Sequence, residues 1–397
     1  MNHKEPLLLA NLMIARCFTL AKIPFIGVTS RGDKRLFYTK YCQKGYQLAS
    51  PEKQSDLFFK QLQELVNEIG SGRPFFCSND GHLDILLKHW DEMQQMFRLV
   101  TVEKDILQKI LNKDLFIPYA EEYNLPIPFT YSMEQLSTAP SPSFPVIIKP
   151  KVRLNWFDSH TVSSQGGRSY KGLLAKDEQE LEKFKASLAK ENIEYVVQQF
   201  IPGPESNIVS FHSFYTEDSR PLGYFVGRKI RTYPTDYGQS CALTLVNDDY
   251  VVQESLKILE RIKFKGPIKI DYKIDQDTGR YYLLELNPTR YNIWHYLGAR
   301  GGVNLPALAY RYMTQPSAKI SLSNKWQTNI RWFNVVNDFQ AFRDLHRNGK
   351  LSWREWLQSY RGKRIYQTLA FDDLRPVFYG IYRTLGGLLR RSKHIFK

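Results

Sequence analysis

Short unbroken apolar runs alternate with segments of helical period over the first hundred residues of this chain. Residues 7–10 read as a buried strand, 11–22 as a helix and 23–28 as a second strand, the β-α-β start of an α/β layer. Residues 56–69 have helical spacing and lead to a short strand at 74–77. Asn79-Asp80-Gly81 then reads as a turn at that strand's C-terminal end. No GxGxxG follows the first strand, so no nucleotide is assigned to this unit.

Further on, residues 103–124 read as helical until Pro126 and Pro128 stop the pattern. A Ser/Pro-rich connector at 137–145 marks the clearest boundary. After it come a buried strand at 144–150, a loop at 155–172, a helix at 177–190 and a strand at 195–201 closed by Pro202-Gly203-Pro204. Strands recur near 208–215, 222–231 and 241–245, with a helix at 249–262 and a hairpin over 267–287. The last eighty or so residues hold Trp326, Trp332, Trp353 and Trp356 and read as mainly helical.

The hairpin carries the most specific chemistry. Ile268-Lys269-Ile270-Asp271-Tyr272-Lys273-Ile274 alternates apolar and charged residues, which is strand periodicity. Asp277-Thr278-Gly279 reads as a three-residue turn, and folding the chain about Thr278 sets Asp271 opposite Glu285, with Asn287 on the face of Glu285. Two opposed carboxylates beside an amide repel each other unless a cation joins them, and Mg²⁺ prefers a few carboxylate oxygens while leaving other positions to phosphate and water. A solvent-exposed strand face with scattered charges is the plainer account. Lys149 ends a buried strand and precedes a loop holding Ser163-Ser164-Gln165-Gly166-Gly167-Arg168, with Lys171 beyond it. That pattern suits a polyphosphate or an ordinary surface loop. Lys229 and Arg231, two apart in a strand, share one face and would anchor an acidic group or form structural ion pairs.

Composition adds limits. The chain has 397 residues, 43% hydrophobic and 24% charged, which is globular and suggests two to three domains. The net charge of +15 is concentrated: residues 317–397 hold 16 Lys and Arg against 5 Asp and Glu. A basic tail suits an anionic surface, or is a solvated helical cap. Cys17, Cys42, Cys77 and Cys241 lack metal-type spacing and suit a reducing, cytoplasmic setting. The apolar run 7–18 is interrupted by Asn11 and Arg16, is too short to span a bilayer and reads as part of the fold. In the tail, Phe378, Ile381, Tyr382, Leu385 and Leu389 follow helical spacing among Arg383, Arg390, Arg391, Lys393 and Lys397. This stripe would lie on a membrane surface or pack against the body. Nucleic-acid binding would need basic residues interleaved with exposed aromatics in a groove, and spacing alone gives the tail tryptophans no such arrangement.

Five segments in a fixed order carry a family resemblance. They are Asn112-Lys113-Asp114, Val-Ile-Ile-Lys-Pro (146–150), Val-Val-Gln-Gln-Phe-Ile-Pro-Gly-Pro-Glu (196–205), Gly-Arg-Lys-Ile-Arg-Thr-Tyr-Pro (227–234) and Leu-Leu-Glu-Leu-Asn-Pro (283–288). The chain resembles the ATP-grasp superfamily, and within it the carboxylate–amine ligase ("carboligase") branch, firmly over about 100–316. Gly-Lys-Leu-Ser-Trp-Arg-Glu-Trp (349–356) extends the likeness into the tail.

The resemblance implies an α/β (α+β) ATP-grasp fold: a Rossmann-like domain over 1–100, an ATP-grasp domain over 101–316 with a lid-like part at about 129–200, and a basic helical extension over 317–397. It implies ATP with Mg²⁺, or Mn²⁺ in its place, and small carboxylate and amine substrates. Lys113 and Lys149 would hold phosphates, with Lys104 the alternative to Lys113. Gln198 and the backbone of Gln199 to Ile201 would meet adenine, and Glu205 the ribose. Asp271, Glu285 and Asn287 would hold the metal, and Lys229, Arg231 and Arg290 would act on the substrates. Where the family often has Arg directly after Asn-Pro, this chain has Thr289 and then Arg290. A kinase on the same fold, or a non-catalytic basic protein binding nucleic acid or membrane, are the alternative readings.

Overall fold

The computed structural model describes residues 4–30, 33–132, 135–136, 141–152, 156, 159–166, 172–236 and 238–383. It divides into two compact units, one of Met1–Leu99, Arg290–Ser321 and Ile365–Lys397, the other of Val100–Thr289 and Leu322–Arg364. The basic stretch 317–397 is therefore not one helical extension. Its middle part contributes a strand as well as helices to the second unit.

The first unit is built on five parallel strands: β1 (Leu7–Leu9), β2 (Phe25–Thr29), β3 (Cys42–Gln47), β4 (Arg73–Cys77) and β5 (Phe97–Arg98), in the order β3-β2-β1-β4-β5. β1 and β2 are buried throughout, as central parallel strands are. The helix Leu12–Leu20 starts where Asn11 accepts hydrogen bonds from the N–H groups of Met13 and Ile14. Asn79-Asp80-Gly81, expected as a turn, instead opens a helix. Asn79 caps Asp80–Lys88 by accepting from the His82 N–H at 2.9 Å, because an Asx residue at a strand end serves as helix cap as readily as turn former. Arg16, the charge interrupting the first apolar run, is buried, and its guanidinium donates to the carbonyls of Tyr366, Gln367 and Thr368. A buried charge survives there only because those acceptors replace water.

Residues 375–383 are helical, with Phe378, Ile381 and Tyr382 exposed and Tyr379 stacked on Tyr38. The rest of the expected tail stripe, Leu385, Leu389, Arg390, Arg391, Lys393 and Lys397, lies outside the described residues, as does Lys171. Among the described residues no helix is long and apolar enough to cross a membrane.

Two sheets form the second unit. The smaller contains β6 (Thr130–Tyr131), β7 (Val146–Pro150), β8 (Leu173–Ala175) and β9 (Tyr195–Gln199), antiparallel in the order β6-β9-β7-β8. It has its own core, with Ile148, Trp156, Leu173, Leu181 and Val197. Residues 155–172, expected as loop, include a helix, His160–Gly166, whose start is held by Glu191. That carboxylate accepts from the Thr161 N–H and from the hydroxyls of Ser159 and Thr161. Gly167 and Arg168 of the proposed phosphate loop lie outside the described residues. The helical stretch 103–124 is two helices, Lys104–Leu111 and Lys113–Glu122. It breaks at Asn112, whose side chain accepts from the Asp114 N–H.

The larger sheet holds β10 (Ile208–Tyr215), β11 (Pro221–Tyr233), β12 (Gln239–Leu245), β13 (Gly266–Ile274), β14 (Tyr281–Pro288), β15 (Ile330–Phe333) and β16 (Lys363–Tyr366), in the order β14-β13-β10-β11-β12-β15-β16. Of the tail tryptophans, Trp332 is buried in β15, and Trp326 donates from its indole to the Val246 carbonyl. Both serve the fold.

β13 begins at a tight approach. Gly266 has φ +85, and a Cβ there would stand 2.3 Å from the Val100 carbonyl oxygen. Gly279 in the hairpin loop has φ +70 but open space around it. Gly266→Ala is expected to destabilise by about 2–4 kcal/mol and Gly279→Ala by about 1 kcal/mol, compared by urea denaturation. Equal losses would show that backbone conformation alone, without the close approach, sets the cost.

Candidate active site

Asp271 stands opposite Glu285 in the β13–β14 ladder, and Lys269 opposite Asn287. The pairing agrees with folding about Thr278, but two features produce it that the alternation does not reveal. The hairpin loop is longer than a three-residue turn, because Asp275 and Arg280 still pair, the Asp275 N–H donating to the Arg280 carbonyl at 2.9 Å. Nearer the site, Asp271 pairs with Glu285 while the next residue, Tyr272, pairs with Leu283. Leu284 is the extra residue of a β-bulge, which restores the register.

Directly opposed Cβ atoms lie about 5 Å apart, where two like charges repel by about 3 kcal/mol at an effective dielectric of about 20. Solvent lowers this for Glu285, which is exposed, but Asp271 is buried. The Asp271 carboxylate accepts from Lys269 Nζ at 2.5 Å and from the Ser210 hydroxyl across the ladder. Among the described residues no three His, Cys, Asp or Glu side chains gather to hold a metal. Two carboxylates and an amide are too few for a closed protein cage, but they fit Mg²⁺ sharing its coordination with phosphate and water.

The same sheet face carries more cations. Lys229 on β11 is buried, its ammonium 3.3 Å from Glu205 in the 3₁₀ turn Glu205–Asn207. Burial works against its charge, yet Glu205, Asp271 and Glu285 together outweigh burial and hold its pKa above the usual lysine value. Lys273, two residues beyond Asp271, lies over the Phe200 ring at 4.9 Å. Its pKa is lowered, by burial first and then by the neighbouring Lys229, against the pull of nearby carboxylates.

Lys149 on β7 donates from Nζ to Gln198 Oε1 at 2.6 Å, and Gln198 Nε2 donates to the Thr130 hydroxyl at 2.8 Å. Burial, reinforced by the charge of Lys113, pushes the Lys149 pKa down to about 8, although Glu285 and Asp271 pull the other way. That mutual influence places Lys149 and Lys113 in one electrostatic neighbourhood with the hairpin carboxylates. Lys113 opens the helix Lys113–Glu122, its N–H donating to the Lys151 carbonyl. Lys104 opens the preceding helix, Lys104–Leu111. The Gln199 N–H donates to the Phe129 carbonyl, and Ile201 is buried. Backbone donation from this hinge to a ring would therefore have to come from beyond Gln199.

Lys113, Lys149, Lys229, Lys269 and Lys273 thus gather around Glu205, Asp271 and Glu285. A cluster of lysines suits a polyphosphate. The sequence reading did not single out Ser210, Lys269 or Lys273. The period-two alternation of residues 268–274 was the available signal for the two lysines, since it sets them on the face of Asp271.

Arg231 and Arg290, expected at the substrates, each have a carboxylate partner within the protein. Lys229 pairs with Leu243 and Arg231 with the adjacent Ala242, so Ile230 is bulged and the two basic side chains leave opposite faces of β11. Arg231 reaches the buried Asp338 with Nε at 2.7 Å and a second nitrogen at 3.1 Å, and also donates to the Ser359 hydroxyl. Asp338 accepts further from Trp356 Nε1 and the Tyr360 hydroxyl. Arg290 belongs to the first unit, where its guanidinium donates to Asp80. Thr289 before it has φ +60, a conformation unfavourable for a β-branched residue, so the chain turns sharply between Asn-Pro and the arginine.

No family model matches the sequence. A D-aspartate ligase of Enterococcus faecium (strain Aus0004) is 25% identical over 244 residues, covering 58% of this chain and 57% of that protein. The chain thus spans somewhat over half the length of this curated relative. Among solved structures, an L-amino acid ligase from Bacillus licheniformis matches with TM-score 0.58 at 13% identity, covering 79% of this chain and 74% of the other. An N5-carboxyaminoimidazole synthetase from Staphylococcus aureus complexed with ADP matches with TM-score 0.56 at 13% identity, covering 81% and 79%. At such identities the likeness is one of fold.

Asp338→Ala would leave the Arg231 charge buried without its main partner. Urea denaturation is expected to show a loss of about 3–5 kcal/mol. A loss below about 1 kcal/mol would mean that Arg231 is free to serve a ligand instead.

Proposed function

We propose that this chain is an ATP-dependent carboxylate–amine ligase of the ATP-grasp superfamily, a reading its fold likeness supports. One observation carries the reading: Asp271 faces Glu285 across a hairpin in a field of lysines that includes Lys149 and Lys113. The names of the relatives, two of them amino acid ligases, support an amino acid as one of the two substrates.

In this reading Lys149 and Lys113 meet the phosphates of ATP. Glu205, held in place by Lys229, accepts from the ribose hydroxyls, and residues 199–201 border the adenine. Asp271, Glu285 and Asn287 hold the metal. Mg²⁺, or Mn²⁺ in its place, supplies charge neutralisation at the phosphoryl group when bound. Asp271, which now accepts from Lys269, would hold the metal in place of that contact, and Lys269 would supply positive charge towards the phosphates.

A substrate carboxylate attacks the γ-phosphorus and releases ADP, leaving an acyl phosphate. An amine adds to the acyl carbon, and the tetrahedral intermediate expels phosphate as the C–N bond is made. Positioning and charge stabilisation account for the catalysis, and no nucleophilic side chain takes part. Arg231 is left out of the reading because Asp338 engages it, and Arg290 because Asp80 does.

Chemistry is tested by product analysis. ADP and inorganic phosphate should appear together, and only when a carboxylic acid and an amine are both supplied. ADP release without free phosphate, with the phosphoryl group on an alcohol, would establish a kinase instead.

Lys149 gives a pH test. With its pKa near 8, the ammonium that meets phosphate is charged at about pH 7 and largely neutral at about pH 9. Nucleotide affinity measured calorimetrically should therefore fall as pH rises through 8, with net proton uptake on binding. Lys149→Arg, charged throughout, should flatten the dependence, and Lys149→Met should lower turnover at least about a hundredfold with the fold intact. Wild-type turnover in Lys149→Met would reject the assignment.

A further inference from the structure

The tail carries an apolar face on the second unit that neither the fold nor the proposed chemistry uses. On the helix Val335–Arg347, Asp338, Ala341 and Phe342 turn inward. Val335, Val336 and Phe339 lie on the outer flank, with Val336 68% exposed. Arg343 and Arg347 continue that flank at helical spacing towards the C-terminal end and are exposed. The helix Trp353–Gln358 extends the face, with Trp353 52% and Leu357 60% exposed. The two helices join through rings: Phe339 and Trp356 are 6.0 Å apart, Phe342 and Trp353 4.4 Å, and Phe342 and Trp356 4.6 Å.

Charge around this face is predominantly positive. Arg343, Arg347, Lys350, Arg354 and Arg361 are exposed. Of the acids in the segment, Asp338 is buried against Arg231, and Glu355 is tied to the Ser352 N–H and hydroxyl in a capping box. Asp344 is partly buried.

We infer that the face formed by Val336, Phe339, Trp353 and Leu357 and rimmed by these arginines docks on the surface of an anionic phospholipid bilayer. A bilayer interface accepts both halves of the pattern: aliphatic and indole groups at the acyl boundary, and guanidinium groups at the phosphates. A second copy of the chain would set arginine rim against arginine rim, which like-charge repulsion opposes. Nucleic acid would satisfy the arginines and stack on the tryptophans, but it would leave Val335, Val336 and Leu357 in water. The inference is independent of the ligase reading. It also differs from docking through the stripe of Phe378, Ile381 and Tyr382.

The test is co-sedimentation of the full chain with vesicles of phosphatidylcholine alone and of phosphatidylcholine mixed with phosphatidylglycerol. The protein should pellet with the anionic vesicles, hardly with the neutral ones, and less as salt is raised. Val336→Ser combined with Leu357→Ser removes apolar surface from exposed positions, and Arg343→Gln combined with Arg354→Gln removes charge. Each pair should weaken partitioning about tenfold or more, while circular dichroism and urea midpoint stay unchanged. Phe378→Ser combined with Tyr382→Ser should leave partitioning as in the wild type.

Four outcomes would overturn the inference. The wild type stays in the supernatant with anionic vesicles at low salt. Both surface pairs pellet like the wild type. Binding is lost only in the Phe378/Tyr382 variant. Or sedimentation velocity shows a dimer that the Val336/Leu357 pair abolishes.

Discussion

Like charges forced together on one sheet face shape the second unit more than any other interaction. β-Sheet pairing fixes Asp271 against Glu285, and burial denies the Asp271 carboxylate the water that would otherwise screen it. Lys269 and Ser210 answer part of that charge. Burial, reinforced by the charge of Lys113, loosens the hold of Lys149 on its proton. Such a face suits the proposed ligand, in which phosphate and a dication come together.

A single extra residue in β11 separates chemistry from architecture. Without the bulge at Ile230, Lys229 and Arg231 would share a face, and Arg231 would join the lysines around Glu205. With it, Arg231 turns to Asp338, and a ring of donors from Trp356, Tyr360 and the guanidinium closes on one buried carboxylate. That carboxylate fixes the helix Val335–Arg347 against the sheet. The tail tryptophans divide accordingly: Trp326 and Trp332 are absorbed by the sheet, Trp356 is tied to Asp338, and Trp353 is left exposed among arginines.

Helix and strand positions were largely legible in the sequence, since period and punctuation are local properties. Residues 208–215, 249–262 and 267–287 were read within a residue or two of β10, the helix Asp249–Arg261 and the β13–β14 hairpin. The errors were also local in origin. Asn79 serves equally in a turn and a helix cap, and the break at Asn112 hides within a continuous helical period. The helix His160–Gly166 draws its N-terminal anchor from Glu191, a residue distant in sequence. The carboxylate pair was legible because a hairpin is the shortest route by which sequence distance becomes spatial contact. The loop and the bulge that produce its register left no mark in the alternation.

By itself, then, the sequence determined the order of the elements, the strand alternation that puts Lys269, Asp271 and Lys273 on one face, and the concentration of positive charge beyond residue 316. These follow from steric preference and periodicity, which act over a few residues. Only the tertiary structure decided that Arg231 belongs to Asp338, that Gln198 bridges Lys149 and Thr130, and that residues 317–397 divide between two units. Each of those outcomes depends on which partner a buried charge or amide meets across a long stretch of chain. Burial makes that choice compulsory, and local pattern carries no record of it.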